Sequence, residues 1–426
     1  MKRGLLAVLF VAVLGGMVHS GDGWLEVYCI DVGQGDATLI VGPDGTTVLV
    51  DAGRSSSAAE NIAGLMDELG ISQLDYTLVT HYDQDHVAGL CDVLEQTGEP
   101  DIAAFDRGGD RRASASSAQP AFFAEYMSCT GDKRTRIEPG DTIELGGATI
   151  KVLAVGDADY TDARATSDYT ELLDGTRIEC AEHENEKSIA MLITFGGFDM
   201  LLAGDLTGRY DPPLNCSSDG LNVEMPVGQL IVGEPLQRGV DVFHANHHGS
   251  GATSNTAGFI SLIKPEVVVI SVGDSPSCGA GFNTYGHPGQ STLDALYAAG
   301  VEKIYQTEEG GCRWTNDPEP CTPLPDETCP RDYHGMPHEF LYDQHVVIRT
   351  DGMEYMVKNA SGQWDYYEVD DPAGDDDDDD DTDDDIDDDA DDDADGDADD
   401  DTDDDDDSGD DDADDDSGGN DGCGWL

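Results

Sequence analysis

The sequence has little positive charge: 21 lysines and arginines stand against 92 aspartates and glutamates, for a formal net charge of −71. That balance argues against tight, non-specific nucleic-acid binding, which rests on basic side chains neutralising phosphates. It does not exclude a cleft whose field is reversed locally by a divalent metal and a few cations, since exposed charges are screened beyond ~8 Å at physiological salt. Long apolar runs are also scarce. None reaches the ~20 residues that a membrane-spanning helix needs. Ten cysteines contain no Cys-x-x-Cys pair, and the closest trio, Cys312, Cys321 and Cys329, is too widely spaced in a Pro-rich stretch to suggest zinc, so a loop staple is the better reading there.

The two ends read as non-globular. Lys2 and Arg3 precede an apolar run from Leu5 to Val13, and the small residues Val18 and Ser20 suit cleavage before Gly21, so residues 1–20 are expected to be a secretory signal peptide. No cysteine stands at that point, which argues against a lipoprotein-type anchor. Export places the protein in the periplasm, at the cell surface or outside the cell, where disulfides form. From Asp371 to Asp421 there are 34 aspartates and no lysine or arginine; removing them from −71 leaves −37 for the rest. Such a stretch buries almost nothing and repels itself, so residues 363–426 are expected to be an extended acidic tail, closed by Gly422-Cys423-Gly424-Trp425-Leu426.

Between the ends, residues 21–362 alternate β-type runs with turns and helix patterns, the one-dimensional signature of α/β layering. Leu25 to Ile30 reads as a strand, with Thr47 to Val50 as its hairpin partner across the turn Gly42-Pro43-Asp44-Gly45. A helix follows from Ala58 to Leu69, stopped by Gly70, and then a buried strand from Tyr76 to Thr80. A second strand-rich series begins near Thr142. Two such halves without an internal repeat fit an αββα sandwich better than a single doubly wound sheet.

The densest chemical signal is His81-Tyr82-Asp83-Gln84-Asp85-His86, four ligand-type side chains in six residues directly after a buried strand. Imidazole and carboxylate donors suit zinc, manganese or iron, and a tight loop after a rigid strand can aim several of them at one point. A polar loop with helix-capping aspartates is the bland alternative. Asp205, ending Leu201-Leu202-Ala203-Gly204-Asp205, and His247 and His248, in Asn246-His247-His248-Gly249-Ser250, fall at strand ends too. His244 reads as a mid-strand structural residue. His287 has two readings of equal weight, a loop hydrogen bond or a functional role as a proton donor or substrate contact.

In order along the chain, Asp31-Val32-Gly33-Gln34-Gly35-Asp36-Ala37, Asp51-Ala52-Gly53, the His81–His86 run, Leu202 to Asp205, His247 to Ser250 and Tyr285-Gly286-His287-Pro288 resemble the ComEC-like branch of the metallo-β-lactamase superfamily, whose members carry the hydrolase-like domain of DNA-uptake proteins. The resemblance spans roughly Trp24 to Lys358. It implies His81, Asp83, Asp85 and His86 as metal ligands, Asp205 as a bridge, and one of His247 and His248 as a ligand with the other facing substrate. It implies Asp51 as a brace of the metal loop, Asp31, Gln34 and Asp36 along the cleft, and Asp36, Asp85 and His287 as catalytic groups, with Ser250 and Tyr285 nearby. Many superfamily members have histidine at the position of Asp83 and another before the bridging aspartate; here Asn185, or less readily His183, stands in that second place. The implied cofactors are two divalent metals, zinc first and manganese second.

These readings converge on an exported hydrolase that uses a metal-activated water, with a phosphoester or nucleic-acid substrate but no stable nucleic-acid partner. Arg107, Arg111, Arg112, Lys133, Arg134 and Arg136 cluster in one insertion and are either a substrate-facing patch or ordinary surface charge. Hydrolysis of another ester or amide, such as a β-lactam, uses the same metal chemistry. The alternative from another class is a non-catalytic cation-binding surface protein, with weak calcium uptake by tail segments such as Asp393-Ala394-Asp395-Gly396-Asp397, which lack EF-hand spacing. Oligomeric state is not legible.

Overall fold

The computed structural model describes residues 21–112, 120–157, 169–179, 181, 183–208, 222–233, 238–274, 285–311, 331–342 and 344–369. The leader expected at 1–20, the acidic tail from 370 on, and Cys180, Cys216, Cys278, Cys312, Cys321, Cys329 and Cys423 lie outside the described residues.

Two mixed sheets form the centre. The first runs, edge to edge, Trp364–Glu368, Glu354–Lys358, Val346–Thr350, Leu25–Cys29, Thr38–Val41, Thr47–Val50, Tyr76–Leu78, Ala103–Asp106 and Arg134–Arg136. The second runs Arg177–Glu179, Tyr169–Leu172, Ala148–Gly156, Ala190–Phe195, Phe198–Leu202, Val242–His244, Val267–Ile270, Lys303–Gln306 and His338–Phe340, with Thr142–Leu145 paired to Ala148–Gly156. Each sheet is antiparallel on one side and parallel on the other, from Thr47–Val50 outward in the first and from Phe198–Leu202 outward in the second.

Strand periodicity assigns the layers. Val48 and Val50 point into a core shared with Val152, Met191, Leu202 and Val269 of the other sheet, while Leu49 between them packs outward with Ile62, Leu65 and Met66. In the second sheet Val267 and Val269 face the shared core, and Val268 and Ile270 face Phe259, Ile260, Leu293 and Leu296. Those outward partners belong to the helices Ser56–Leu69, Ala257–Ile263 and Gln290–Ala299, so the order is helix, sheet, sheet, helix. The helix Ser56–Leu69 begins where the Ser55 hydroxyl accepts from the Ala58 N–H and stops at Gly70, whose φ of 72° a side chain would resist.

Two sequence expectations need correction. The hairpin partner of Leu25–Cys29 is Thr38–Val41, and it is this strand that the Gly42–Gly45 turn joins to Thr47–Val50. Four residues, all buried, give Thr38–Val41 no polar alternation to announce it. The folded domain also continues past residue 362, because Trp364–Glu368 pairs along its length with Glu354–Lys358. Its Asp365 carboxylate is held by Lys303 Nζ at 2.7 Å and the Tyr305 hydroxyl at 2.6 Å, which makes an acidic edge strand tolerable.

A disulfide between Cys91 and Cys129 joins the helix Leu90–Thr97 to the helix Ala121–Cys129. Buried Glu224 organises the loop that follows Val242–His244: its Oε1 accepts from Asn246 Nδ2 and the Asn255 N–H, and its Oε2 from the Thr256 N–H and hydroxyl. Burial nevertheless pushes this carboxyl up to about 7, against those four hydrogen bonds that favour its charge.

Two outcomes follow for stability. The disulfide closes a sequence separation of 38 residues, so the Cys91→Ala/Cys129→Ala protein should lose on the order of 4 kcal/mol in denaturant unfolding. A carboxyl raised above its ordinary range stabilises the fold while protonated, and that contribution disappears as pH climbs through about 7. Glu224→Gln should therefore remove a decline of roughly 3 kcal/mol between about pH 5 and 8, whatever its absolute stability; an unchanged slope in pH-dependent unfolding would refute the assignment.

Candidate metal centre

The parallel strands of both sheets end at one cleft. Asp51 follows Thr47–Val50, His81 follows Tyr76–Leu78, Asp205 follows Phe198–Leu202, and His247 and His248 follow Val242–His244. Backbone hydrogen bonds knit these loops together: Asp36 N–H to Asp85 O, Ala52 N–H to His86 O, Ile189 N–H to Thr80 O and His247 N–H to Gly204 O, at 2.7–3.1 Å. Close approach requires glycine at two points. A Cβ on Gly35 would lie 2.5 Å from Asp85 O, and one on Gly204, whose φ is +52°, would lie 2.6 Å from the Thr80 hydroxyl. The loops are also strained, since Asp51, His247 and His248 all take left-handed φ between 50° and 57°.

Asp205 occupies the middle of the cleft, and its two oxygens face different donors. Oδ2 lies 3.7 Å from His81 Nε2 and 3.5 Å from His247 Nε2. Oδ1 lies 3.1 Å from His86 Nε2 and 3.8 Å from His248 Nε2. Asp83 Oδ2 is 3.9 Å from His81 Nε2, on the first side, and Asp85 Oδ2 is 3.6 Å from His248 Nε2, on the second. Both histidines of the pair thus reach the cluster through Nε2, one on each side of Asp205.

The opposite ring nitrogens are fixed by the fold. Asp51 accepts from His86 Nδ1 at 2.8 Å while also holding the Thr80 N–H and hydroxyl. His248 Nδ1 pairs with Ser271 O at 3.0 Å, and His247 Nδ1 with the Thr253 hydroxyl at 2.8 Å. Such partners set which nitrogen is left to ligate. Asn185 comes to 3.4 Å of the same His247 nitrogen, and exposed His183 ties its own N–H to Glu186.

The donor set fits divalent metal. Both oxygens of Asp36, Oδ1 of Asp205, and Nε2 of His81, His86 and His248 are buried without a hydrogen bond, although His86 and Asp205 stand in ion-pair range. Buried polar atoms left this way are costly unless something else satisfies them. Asp36, His86, Asp205 and His248 also offer donor atoms within 4.8 Å of one another. Within that group Asp36 meets the Nδ1 atoms, 3.5 Å from His248 and 4.0 Å from His86, so it stands behind the rings while the Nε2 atoms look toward Asp205. Burial holds His81, His247 and His287 below the ordinary imidazole range, and a neutral ring is the ligating form. For His86 burial acts the same way, but Asp205 and Asp51 overcome it and push the ring well upward. The cluster attracts positive charge.

Other sequence candidates sit around this core. Gln34 Oε1 accepts from the Gly273 N–H, Asp31 Oδ1 caps the turn at Gly33, and the Ser250 hydroxyl pairs with Thr253. His287 is buried with its ring centroid 5.3 Å from that of His247, and Tyr285, 58% exposed, lies 5.9 Å from His287. His244, read from sequence as structural, bonds the Ser271 hydroxyl at 2.8 Å and stands 3.8 Å from Asp36 Oδ1, closer to the site than its mid-strand position suggested.

The basic cluster belongs largely to the fold. Arg107 is buried, 4.3 Å over the Tyr82 ring and 2.9 Å from Glu184 Oε1, which also accepts the Tyr82 N–H. Arg134 pairs with Asp106, Arg136 with Glu138, and Lys133 bonds Asp101 O. Arg112 Nε donates to Asp83 Oδ1 at 2.8 Å. For Arg107, Arg112 and Arg134 the reading as a substrate-facing patch is thereby weakened, since acids of the fold engage them, whereas Arg136 pairs with an exposed acid and Lys133 with a backbone carbonyl. Glu184 and Arg112 escaped sequence reasoning as supports of the metal loop; the only cue was Glu184's place beside Asn185.

Comparison with known proteins agrees with this geometry. The chain is 23% identical over 302 residues to ComE operon protein 3 of Bacillus subtilis (strain 168), covering 67% of this chain and 32% of that protein. It is 22% identical over 281 residues to Competence protein ComA of Neisseria gonorrhoeae, covering 66% and 30%. It therefore spans about a third of the length of these curated relatives. Among solved structures, the metallo-beta-lactamase fold protein YhfI from Bacillus subtilis aligns with 67% of this chain and 98% of its own, at 12% identity and a TM-score of 0.38. Residues 30–273 match the family described as the metallo-beta-lactamase superfamily, and that stretch contains the strand ends that carry Asp36, His81, His86, Asp205 and His248. With more than half of its length matched and its ligand-type side chains gathered at one cleft, the chain belongs to the metallo-β-lactamase superfamily.

Proposed function

We propose that this protein is an exported metal-dependent phosphodiesterase or nuclease. The observation that carries the reading is the division of Asp205, one oxygen toward His81 and His247 and the other toward His86 and His248. His81, Asp83, His247 and Asp205 would hold one divalent ion, and Asp85, His86, His248 and Asp205 the other. Two such ions supply a nucleophilic water at neutral pH and neutralise charge on a phosphoryl group. An oxygen-rich set of this kind suits manganese as well as zinc.

The protein's own residues then orient and exchange protons. Asp51 keeps His86 turned so that Nε2 looks inward, and Ser271 does the same for His248. His287, held neutral by burial beside His247, is placed to donate a hydrogen bond to substrate or to accept a proton as the reaction proceeds. Because Arg107, Arg112 and Arg134 are engaged with acids of the fold, substrate recognition leans on other contacts. Exposed Tyr285 at the same rim offers a stacking face to an unpaired base, and kinship with competence proteins supports a nucleic-acid strand as substrate. The Cys91–Cys129 disulfide supports an oxidising, exported setting.

Hydrolysis of bis-p-nitrophenyl phosphate and single-stranded DNA, measured with added zinc or manganese, is expected for the wild type. His86→Ala and Asp205→Asn should each reduce it by more than the roughly 100-fold that outer-shell partners carry; activity surviving both changes would end the two-metal reading. Tyr285→Ala should raise KM for single-stranded DNA about tenfold with kcat retained, and Tyr285→Phe should leave it unchanged. Equal KM values for all three proteins would remove the stacking role.

A further inference from the structure

The two sides of Asp205 are not electrically alike. We propose that the centre holds its two divalent cations with unequal affinity and that Arg112 sets the weaker site, an inference that rests on the two-metal reading above.

On the side of His81 and His247, the carboxylate donor is Asp83. Its Oδ1 already accepts from Arg112 Nε at 2.8 Å and from Nη2 in a shorter contact, while Oδ2 looks toward His81. Asp83 and Arg112 together form a nearly neutral unit. A dication approaching Oδ2 meets an anion whose charge is matched, with a guanidinium just behind it. Hydrogen bonds to Oδ1 also draw electron density from the carboxylate and weaken it as a donor.

On the side of His86 and His248 the balance is reversed. Among the described residues, the ionic contacts of Asp36, Asp51 and Asp85 are all with imidazoles, which are neutral when they ligate. Three carboxylates therefore face that half without a permanent cation. Burial separates the halves only at one imidazole: Asp83 and Asp85 are similarly exposed, at 21% and 24%, and His81 and His86 are both fully buried, whereas His247 is 20% exposed against 1% for His248. The first ion to bind takes the His86 and His248 half, and the second takes the half that Arg112 guards. A unit charge roughly 6 Å from a dication in water-like surroundings weakens binding about tenfold, which sets the size expected for Arg112.

The test is a titration of metal-free, full-length protein with zinc in competition with a chelator, followed by elemental analysis of the dialysed protein. Wild type should show two classes of one ion each, separated by at least about tenfold. Arg112→Gln should tighten the weaker class about tenfold and leave the stronger one unmoved, and Arg112→Lys, which keeps the charge, should preserve the wild-type separation. Two equal classes, or a weaker class that loosens in both variants because Arg112 braces Asp83, would overturn the inference while leaving the two-metal reading intact. Absence of bound zinc in the wild type would defeat the two-metal reading itself, and this inference with it.

Discussion

Asp36, Asp51, Asp83, Asp85 and Asp205 lie together in one cleft, mostly buried, and among the described residues only Asp83 has an arginine attached. Concentrating negative charge in this way opposes folding unless protons, histidines or bound cations offset it. The architecture around the cleft follows from that constraint. Asp51 holds Thr80 and His86 at once, so the loop after one strand cannot move without the loop after its neighbour. Glu224 does the corresponding work beneath His247 and His248, where two consecutive left-handed residues would otherwise relax. Rigid strands from both sheets deliver the donors, and hydrogen bonds behind them fix which atom each presents.

Much of this was legible in the sequence because chemistry and chain order coincide at strand ends. His81 to His86 is dense enough to stand out alone, and Asp205, His247 and His248 follow hydrophobic runs that could hardly be anything but strands. The sandwich was legible for a related reason: strands such as Val267–Ile270 are apolar on both faces, which only a sheet covered on each side requires. Support residues were another matter. Arg112 meets Asp83 across 29 positions and Glu184 meets Arg107 across 77, separations that carry no periodic signal. Trp364–Glu368 escaped because its acidic residues resemble the tail that follows, although its three aromatic residues and the pairing of Asp365 with Lys303 and Tyr305 set it apart.

The metal loop is held from outside as firmly as from within. Tyr82, in the middle of the ligand run, donates its hydroxyl to Gly108 O, carries Arg107 over one face and packs against Phe123 and Tyr126. Tyr126 in turn bonds Asp106, which also accepts Arg134. A buried network of this kind keeps its value only while every member is satisfied. Arg107 and Arg134, which the sequence left open between substrate contacts and surface charge, are thus part of the wall behind the His81–His86 loop.

The bond between Cys91 and Cys129 has a consequence for resistance to proteolysis. It encloses a stretch of backbone in a covalent ring, and Arg112, which bonds Asp83, lies on that ring. A protease that severs one peptide link inside it leaves two fragments tethered through sulfur, so a single nick there does not release either piece of the scaffold.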